Sequence, residues 1–225
     1  MTIRVDVVRV FTDENGDFGN ELGILESSGT THGREQQIAA ELGFSETVFI
    51  DDVVAARATI RIFTPAGELS FAGHPSVGTA WWFAHTQRSI SALAEKAGDV
   101  VVRYDKETVW IAGRSEWAPD FSFKVLDTPD EVDALDPDSY TSGMNYAYSW
   151  IDESAGIIRS RMFGPEHYIR EDEATGAAAI RVTTILGRNL TIHQGRGSRI
   201  QTRVGVDGLV EVGGRTVWDR QLELD

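Results

Sequence analysis

The sequence predicts an α+β protein made of two pseudo-symmetric β-barrel-like units, residues 1–114 and 115–225, each wrapped around one central helix. Three observations carry that expectation. Arg61-Ile62-Phe63-Thr64-Pro65 returns as Arg161-Met162-Phe163-Gly164-Pro165, and Gly113-Arg114-Ser115-Glu116-Trp117 returns as Gly214-Arg215-Thr216-Val217-Trp218. The order of the matches is kept across most of each half, as a duplicated unit would give. Each Arg-x-Phe-x-Pro segment also precedes a glycine-containing turn and an alanine-rich stretch, Gly73–His85 in the first half and Thr175–Gly187 in the second. Both stretches are apolar nearly all round, through Val77, Ala80, Trp81, Phe83 and Ala84, and through Ala178, Ile180, Val182, Ile185 and Leu186. A helix of that kind is buried on every side. The rest of the chain is short β-rich segments, and strands that surround a helix make a barrel-like wrap.

Taken in order, Ile3–Phe11 alternates apolar and polar residues as a strand does. Arg34–Leu42 reads as a helix with Ile38, Ala39 and Leu42 on one face, and Gly43 is placed to end it in the left-handed conformation. Thr47–Ile50 and Ala58–Thr64 are β-rich. Val100–Arg103 and Thr108–Ile111 flank a turn at Asp105-Lys106. In the second half Asp130–Asp136 is the shorter, more acidic counterpart of the first helix. Val204–Val206 and Leu209–Val212 flank Asp207-Gly208, a strong hairpin signal. Arg181 and Arg188 are expected to point to the open end of their unit.

Composition narrows the function. The chain has 225 residues, a net charge of −14 and no cysteine. Without cysteine, thiol nucleophiles, thiolate metal sites and two-thiol racemisation are excluded. So acidic a chain without a basic patch predicts neither a nucleic-acid nor an anionic-membrane partner. No signal-peptide pattern opens it and no apolar window approaches the roughly 20 residues of a membrane span, so a cytoplasmic protein is expected. The histidines show no metal-ligand spacing, and phosphate-loop, dinucleotide and nucleophile-elbow motifs are absent.

Candidate site residues gather at the two glycine turns, Phe71-Ala72-Gly73-His74-Pro75-Ser76 and Asp172-Glu173-Ala174-Thr175-Gly176-Ala177. Each opens a helix, and Pro75 suits a first helical turn. Free backbone N–H groups at a helix start bind anions. If a pseudo-twofold relates the units, both helix starts face one cleft and a carboxylate or enolate between them is stabilised from both sides. Glu46, in Ser45-Glu46-Thr47-Val48-Phe49, and Asp172 are the carboxylates to follow, although acidic residues at such boundaries are most often solvated. His74 ionises near neutrality and can donate to a bound carboxylate.

These segments resemble the PhzF family of phenazine-biosynthesis-type isomerases. The match runs through Ser45-Glu46-Thr47-x-Phe49, Phe63-Thr64-Pro65-x-x-Glu68-Leu69-x-Phe71-Ala72-Gly73-His74-Pro75-Ser76-x-Gly78 and Asp172-x-Ala174-Thr175-Gly176, three separated motifs in one order. The resemblance implies a diaminopimelate-epimerase-like fold with the active site between the units. It implies that Glu46 shuttles a proton, that His74 and Asp172 assist, and that Asn20, Gly73, Ser76, Gly176 and Ala177 bind the substrate. The implied substrate is a small anionic, unsaturated metabolite of secondary metabolism, isomerised without a cofactor. A cysteine-independent epimerase or racemase and a degenerate binding protein are the alternatives. The chain departs from the family pattern at Ala177, where a serine is usual, at Glu21, where proline is usual, and in a trimmed 121–156 region. A homodimer is implied too, with Trp110, Trp117, Trp150 and Trp218 lacking an evident core role.

Overall fold

The computed structural model describes residues 2–106, 108–167 and 169–224. The first half runs β1 (Ile3–Thr12), β2 (Asn20–Glu26), α1 (Glu35–Leu42), β3 (Glu46–Val54), β4 (Arg57–Phe63), β5 (Glu68–Leu69), α2 (Gly73–His85), β6 (Ala92–Glu95), β7 (Gly98–Asp105) and β8 (Thr108–Arg114). The second runs β9 (Ser122–Val125), α3 (Pro129–Asp133), β10 (Asn145–Asp152), β11 (Ile157–Gly164), β12 (Ile169–Asp172), α4 (Gly176–Leu186), β13 (Leu190–Gln194), β14 (Ser198–Val204) and β15 (Leu209–Leu224). The pairings repeat with the sequence. β3–β4 is antiparallel, β4–β6 parallel and β6–β7 antiparallel. β10–β11, β11–β13 and β13–β14 follow the same order. The parallel pair β2–β3 recurs as β9–β10, and the two Arg-x-Phe segments occupy β4 and β11.

The two units differ in closure. Strands β1, β2, β3, β4, β6, β7, β8 and β15 follow one another and close on themselves through β15–β1, an eight-stranded barrel around α2. The second sheet ends at β9, whose other edge is unpaired among the described residues. In the first unit β1 doubles back to pair β2, but the chain leaves β8 through a 3₁₀ turn at Ser115–Trp117 and β9 is only four residues long. The expected α+β fold of two barrel-like units, each around a central helix, is therefore present, the first as a closed barrel and the second as an open wrap. The division at 114/115 is crossed as well. The first part of β15 lies between β8 and β14, while its later residues pair with β1.

Burial follows closure. From Gly73 to Ala80 every residue of α2 is buried, as a helix inside a closed barrel must be. On α4 the inner face (Ala178, Ala179, Ile180, Val182, Thr183) is buried, whereas Ile185 is 61% exposed on the open side. Arg181 reaches Ala118 and Asp120, and Arg188 lies over Trp150. A smaller core under α1 joins Ile38 and Ala39 to Ile3, Val5, Leu25, Phe49 and Phe63 on the outer face of the first barrel. The tryptophan expectation needs correcting. Trp110 is a core residue, Trp117 packs on Phe71, and Trp218 is the most exposed of the four, at 38%. The predicted helix over 130–136 is the five-residue α3, fixed by a Thr128/Glu131 capping box. The strand expected to reach Val206 stops at Val204, and Val206 is 76% exposed in the turn.

The helices meet at their N-termini. A Cβ on Gly73 would lie 2.8 Å from the Gly176 backbone, and one on Gly176 would lie 2.9 Å from the Gly73 Cα. Only two glycines allow this approach, because the obstacle on each side is main chain and cannot rotate away. Gly73→Ala is expected to destabilise the protein by about 1–3 kcal/mol through this overpacking. Gly67→Ala, whose added methyl meets nothing within 4 Å, is the control and should stay within about 0.5 kcal/mol. Urea denaturation compares them, and equal midpoints would show that the junction yields.

Candidate active site

Glu46 is placed by a helix end. α1 stops at Gly43, which takes φ 70°, and three residues later β3 opens at Glu46, paired in parallel to β2 with Leu22 opposite. His74 is the second residue of α2. Together these starts bring His74 Nε2 to 3.2 Å from Glu46 Oε2. The distance suits a hydrogen bond but the ring N–H is not directed along it, and both atoms are buried without a hydrogen-bond partner among the described residues. The His74 side chain is 6% exposed and that of Glu46 17%. Burial pushes the Glu46 carboxyl above the ordinary glutamate range. The charge of Asp172 adds to this, while His74 and a hydrogen bond from Ser45 partly offset it.

Asp172 ends β12 and is held from both units. Its Oδ1 accepts from Asn20 Nδ2 at 2.7 Å, and its Oδ2 accepts from the Thr175 hydroxyl at 2.6 Å. Thr175 accepts in turn from Gln194 Nε2 at 2.7 Å, and Gln194 also donates to the Asp172 carbonyl at 3.0 Å. The second Asn20 N–H reaches the Ala174 carbonyl at 3.0 Å. Asn20 thus commits both amide hydrogens to the second unit, and its visible work is that of a strut carrying Asp172.

Gly73, Gly176 and Ala177 lie at the junction of the two helix starts. Neither α2 nor α4 has a side-chain cap, so their leading N–H groups are left to the junction. Ser76 does not join them. It is fully buried, its N–H and hydroxyl both turn back to the Ala72 carbonyl, and Oγ also lies 2.6 Å from Glu95 Oε1. In this structure the Ser76 hydroxyl is engaged within the helix start by this back-bonding.

Sequence reasoning left several neighbours without a role. Thr175 and Gln194 orient Asp172. Glu173 accepts from the Arg196 and Gly197 backbone N–H groups and from Ser198 Oγ, and Ser198 accepts from Gly19 N–H at 3.0 Å. This chain clips the loop before Asn20 to the second unit. The available signal was spacing, since Asp172, Glu173 and Thr175 are consecutive or nearly so and Gln194-Gly195 closes the strand facing them. A separate concavity of about 450 Å³ is lined by Arg9, Asp17, Phe18, Gly19, Glu21 and Arg196. It adjoins Asn20 in the chain, but Glu46 and His74 do not line it.

A model of the phenazine biosynthesis-like proteins, PhzC-PhzF, matches residues 8–114. A trans-2,3-dihydro-3-hydroxyanthranilate isomerase of Pseudomonas fluorescens is 31% identical over 199 residues, covering 72% of this chain and 71% of that protein. The chain belongs to the PhzF family. A PhzF-family structure from Enterococcus faecalis matches with a TM-score of 0.78 at 20% identity over the whole of both chains. A probable proline racemase from Agrobacterium radiobacter matches with a TM-score of 0.65 at 11% identity, over 99% of this chain and 93% of that one. At those identities the likeness is one of fold. The PhzF-family match spans Asn20, Glu46, Gly73 and His74 and ends before Asp172. Among the described residues no three His, Asp or Glu side chains converge as a metal-ligand set, and no helix is long and apolar enough to cross a membrane.

The raised Glu46 pKa has a consequence for stability. The folded state favours the protonated carboxyl, so the stability it contributes is complete below the unfolded glutamate pKa and is lost as pH rises through the folded one. Glu46→Gln removes this loss. Its urea midpoint is expected to exceed that of the wild type at pH 7–8 and to match it more closely near pH 5. Parallel pH profiles would mean that Glu46 is not held in a desolvated position.

Proposed function

We propose that the protein is a cofactor-independent isomerase that moves a proton, and with it a double bond, in a small unsaturated carboxylated metabolite. The observation that carries this reading is the buried Glu46–His74 pair, 3.2 Å apart with both facing atoms unpartnered, beside two uncapped helix N-termini. Ionised Glu46 takes a proton from a carbon next to the unsaturated system. The electron pair left behind spreads toward the substrate carboxylate, where the leading N–H groups of α2 and α4 stabilise the growing negative charge. Glu46 then returns the proton to another carbon, so the reaction balances with no co-reactant. Burial helps twice. It keeps the abstracted proton from exchanging with water, and it raises the Glu46 pKa toward the working pH, where an acid–base group serves best. His74 donates to the substrate or steadies Glu46, and Asp172, held by Asn20 and Thr175, orders the transfer. The substrate for which the Pseudomonas fluorescens relative is named, a dihydro-hydroxyanthranilate, is an unsaturated carboxylate of this class and is the first compound to test.

Turnover is measured on trans-2,3-dihydro-3-hydroxyanthranilate. Glu46→Gln keeps shape and hydrogen bonding but accepts no proton, so kcat is expected to fall by roughly 10²–10⁴-fold. Since only the ionised base abstracts a proton, wild-type kcat/KM should rise with pH along a limb displaced above the ordinary glutamate range. Near wild-type turnover by the Gln variant would overturn the assignment. Conversion of the compound into its double-bond isomer, followed by proton NMR, separates this reading from a degenerate binding protein, which converts nothing.

A homodimer belongs to the same reading. Among the described residues β9 keeps one edge unpaired and Trp218 stays part-exposed, both features that a second copy can cover. Light scattering at micromolar concentration should give twice the 24.8 kDa chain mass, and a monomer mass would refute it.

A further inference from the structure

Behind the helix start that carries Gly73 and His74 lies a carboxyl group that the proposed reaction does not use. Glu95 closes β6, is only 9% exposed, and has Oε2 buried without a partner. Its Oε1 is 2.6 Å from Ser76 Oγ, which is itself 2.7 Å from the Ala72 carbonyl oxygen. The hydroxyl has one hydrogen, and the carbonyl can only accept. If Ser76 donated to an ionised Glu95, two buried oxygens would face each other at the Ala72 end with no hydrogen between them. Both contacts are satisfied together only when Glu95 carries the other hydrogen. The chain then runs Glu95 O–H to Ser76 Oγ, and Ser76 O–H to the Ala72 carbonyl.

We propose that Glu95 is a neutral, hydrogen-donating acid that locks the Ala72–His74 turn through Ser76, and is thereby a positioning residue for the site. Ala72 is the residue immediately before α2. Fixing its carbonyl fixes the direction in which the Gly73 and His74 N–H groups leave the helix and the place from which the His74 ring reaches Glu46.

The surroundings agree with a neutral group. Lys96, next in the chain, turns outward to Glu68, and Asp99, across the β6–β7 pair, is bound to Arg57. On α2 the nearest ionisable residue in the chain is His74, which faces Glu46. Glu116, in the turn after β8, is exposed beside Arg114. Glu95 forms no ion pair among the described residues, and burial pushes its carboxyl up to about 8, with the Ser76 hydrogen bond opposing.

Only the catalytic consequence rests on the isomerase reading. The protonation state does not, so the test uses no substrate. It is run in the Glu46→Gln background, to remove the other carboxyl with a raised pKa. Because the folded pKa is raised, stability is complete below the unfolded glutamate value and lost on the way up to about pH 8. Relative to the Glu46→Gln/Glu95→Gln double variant, the folding equilibrium constant of Glu46→Gln should fall about tenfold per pH unit between roughly 5 and 7.5. Coincident slopes would overturn the proposal. Should the double variant fail to fold, carboxyl ¹³C spectra of Glu46→Gln decide. One glutamate still protonated at pH 7 and titrating near 8 supports the proposal, and its absence overturns it. The His74 backbone amide signal should move with that same midpoint, and an immobile signal would remove Glu95 from any positioning role.

Discussion

Everything in the site depends on two peptide backbones touching where α2 and α4 begin. Gly73 and Gly176 bring the helix starts within van der Waals contact, closer than any side chain would allow. That contact aims two sets of unpaired N–H groups and the positive ends of two helix dipoles at one place. The strands serve this arrangement. A closed barrel grips α2 on every side, and the shared strand β15 sets the second unit against the first. Charge then follows from geometry. Glu46 stands in a place dry enough to favour its proton, and Asp172 is tethered by Asn20 from the opposite unit.

Much of this could be read from residues alone. The duplicated Arg-x-Phe segments sit in equivalent strands, and the two helices apolar all round are the central ones, with α2 at the expected Gly73–His85. Glycine and histidine at a helix start marked the candidate site because the chemistry there is local. The parts that stayed hidden are those decided by distant partners. Nothing in Ser122–Val125 says that β9 lacks a second neighbour among the described residues, since strand pairing is fixed by the path of the chain between strands. The fate of Ser76 was hidden for the same reason. Its role turns on Glu95, nineteen residues on, reached only when β6 is laid behind α2. Asn20 carried the right address but a different job, holding a carboxylate across the unit boundary.

Closure and chemistry are distributed unequally between the units. The closed barrel supplies Glu46 and His74, whereas the open one supplies Asp172 on a strand tied down by side-chain hydrogen bonds from Asn20, Thr175 and Gln194. Where the sheet no longer wraps fully, a polar network does the positioning. Such a network works only when nearly every member is satisfied, which is why the acidic run around Glu173 is drawn inward to backbone donors instead of being left to solvent.

The pairing of β1 with β15 sets a constraint on synthesis. Ile3 lies opposite Leu224, so the first strand of the first barrel finds its second neighbour only after almost the whole described chain has been made. While the ribosome is still extending the chain, β1 keeps one edge bare and α2 has an incomplete wall. Joining ends so far apart carries a loop-closure cost and slows folding, as long-range strand pairing does generally. The nascent chain must therefore wait with its first central helix partly uncovered, and a chain that stalls before residue 209 would be a substrate for chaperones rather than a half-built barrel.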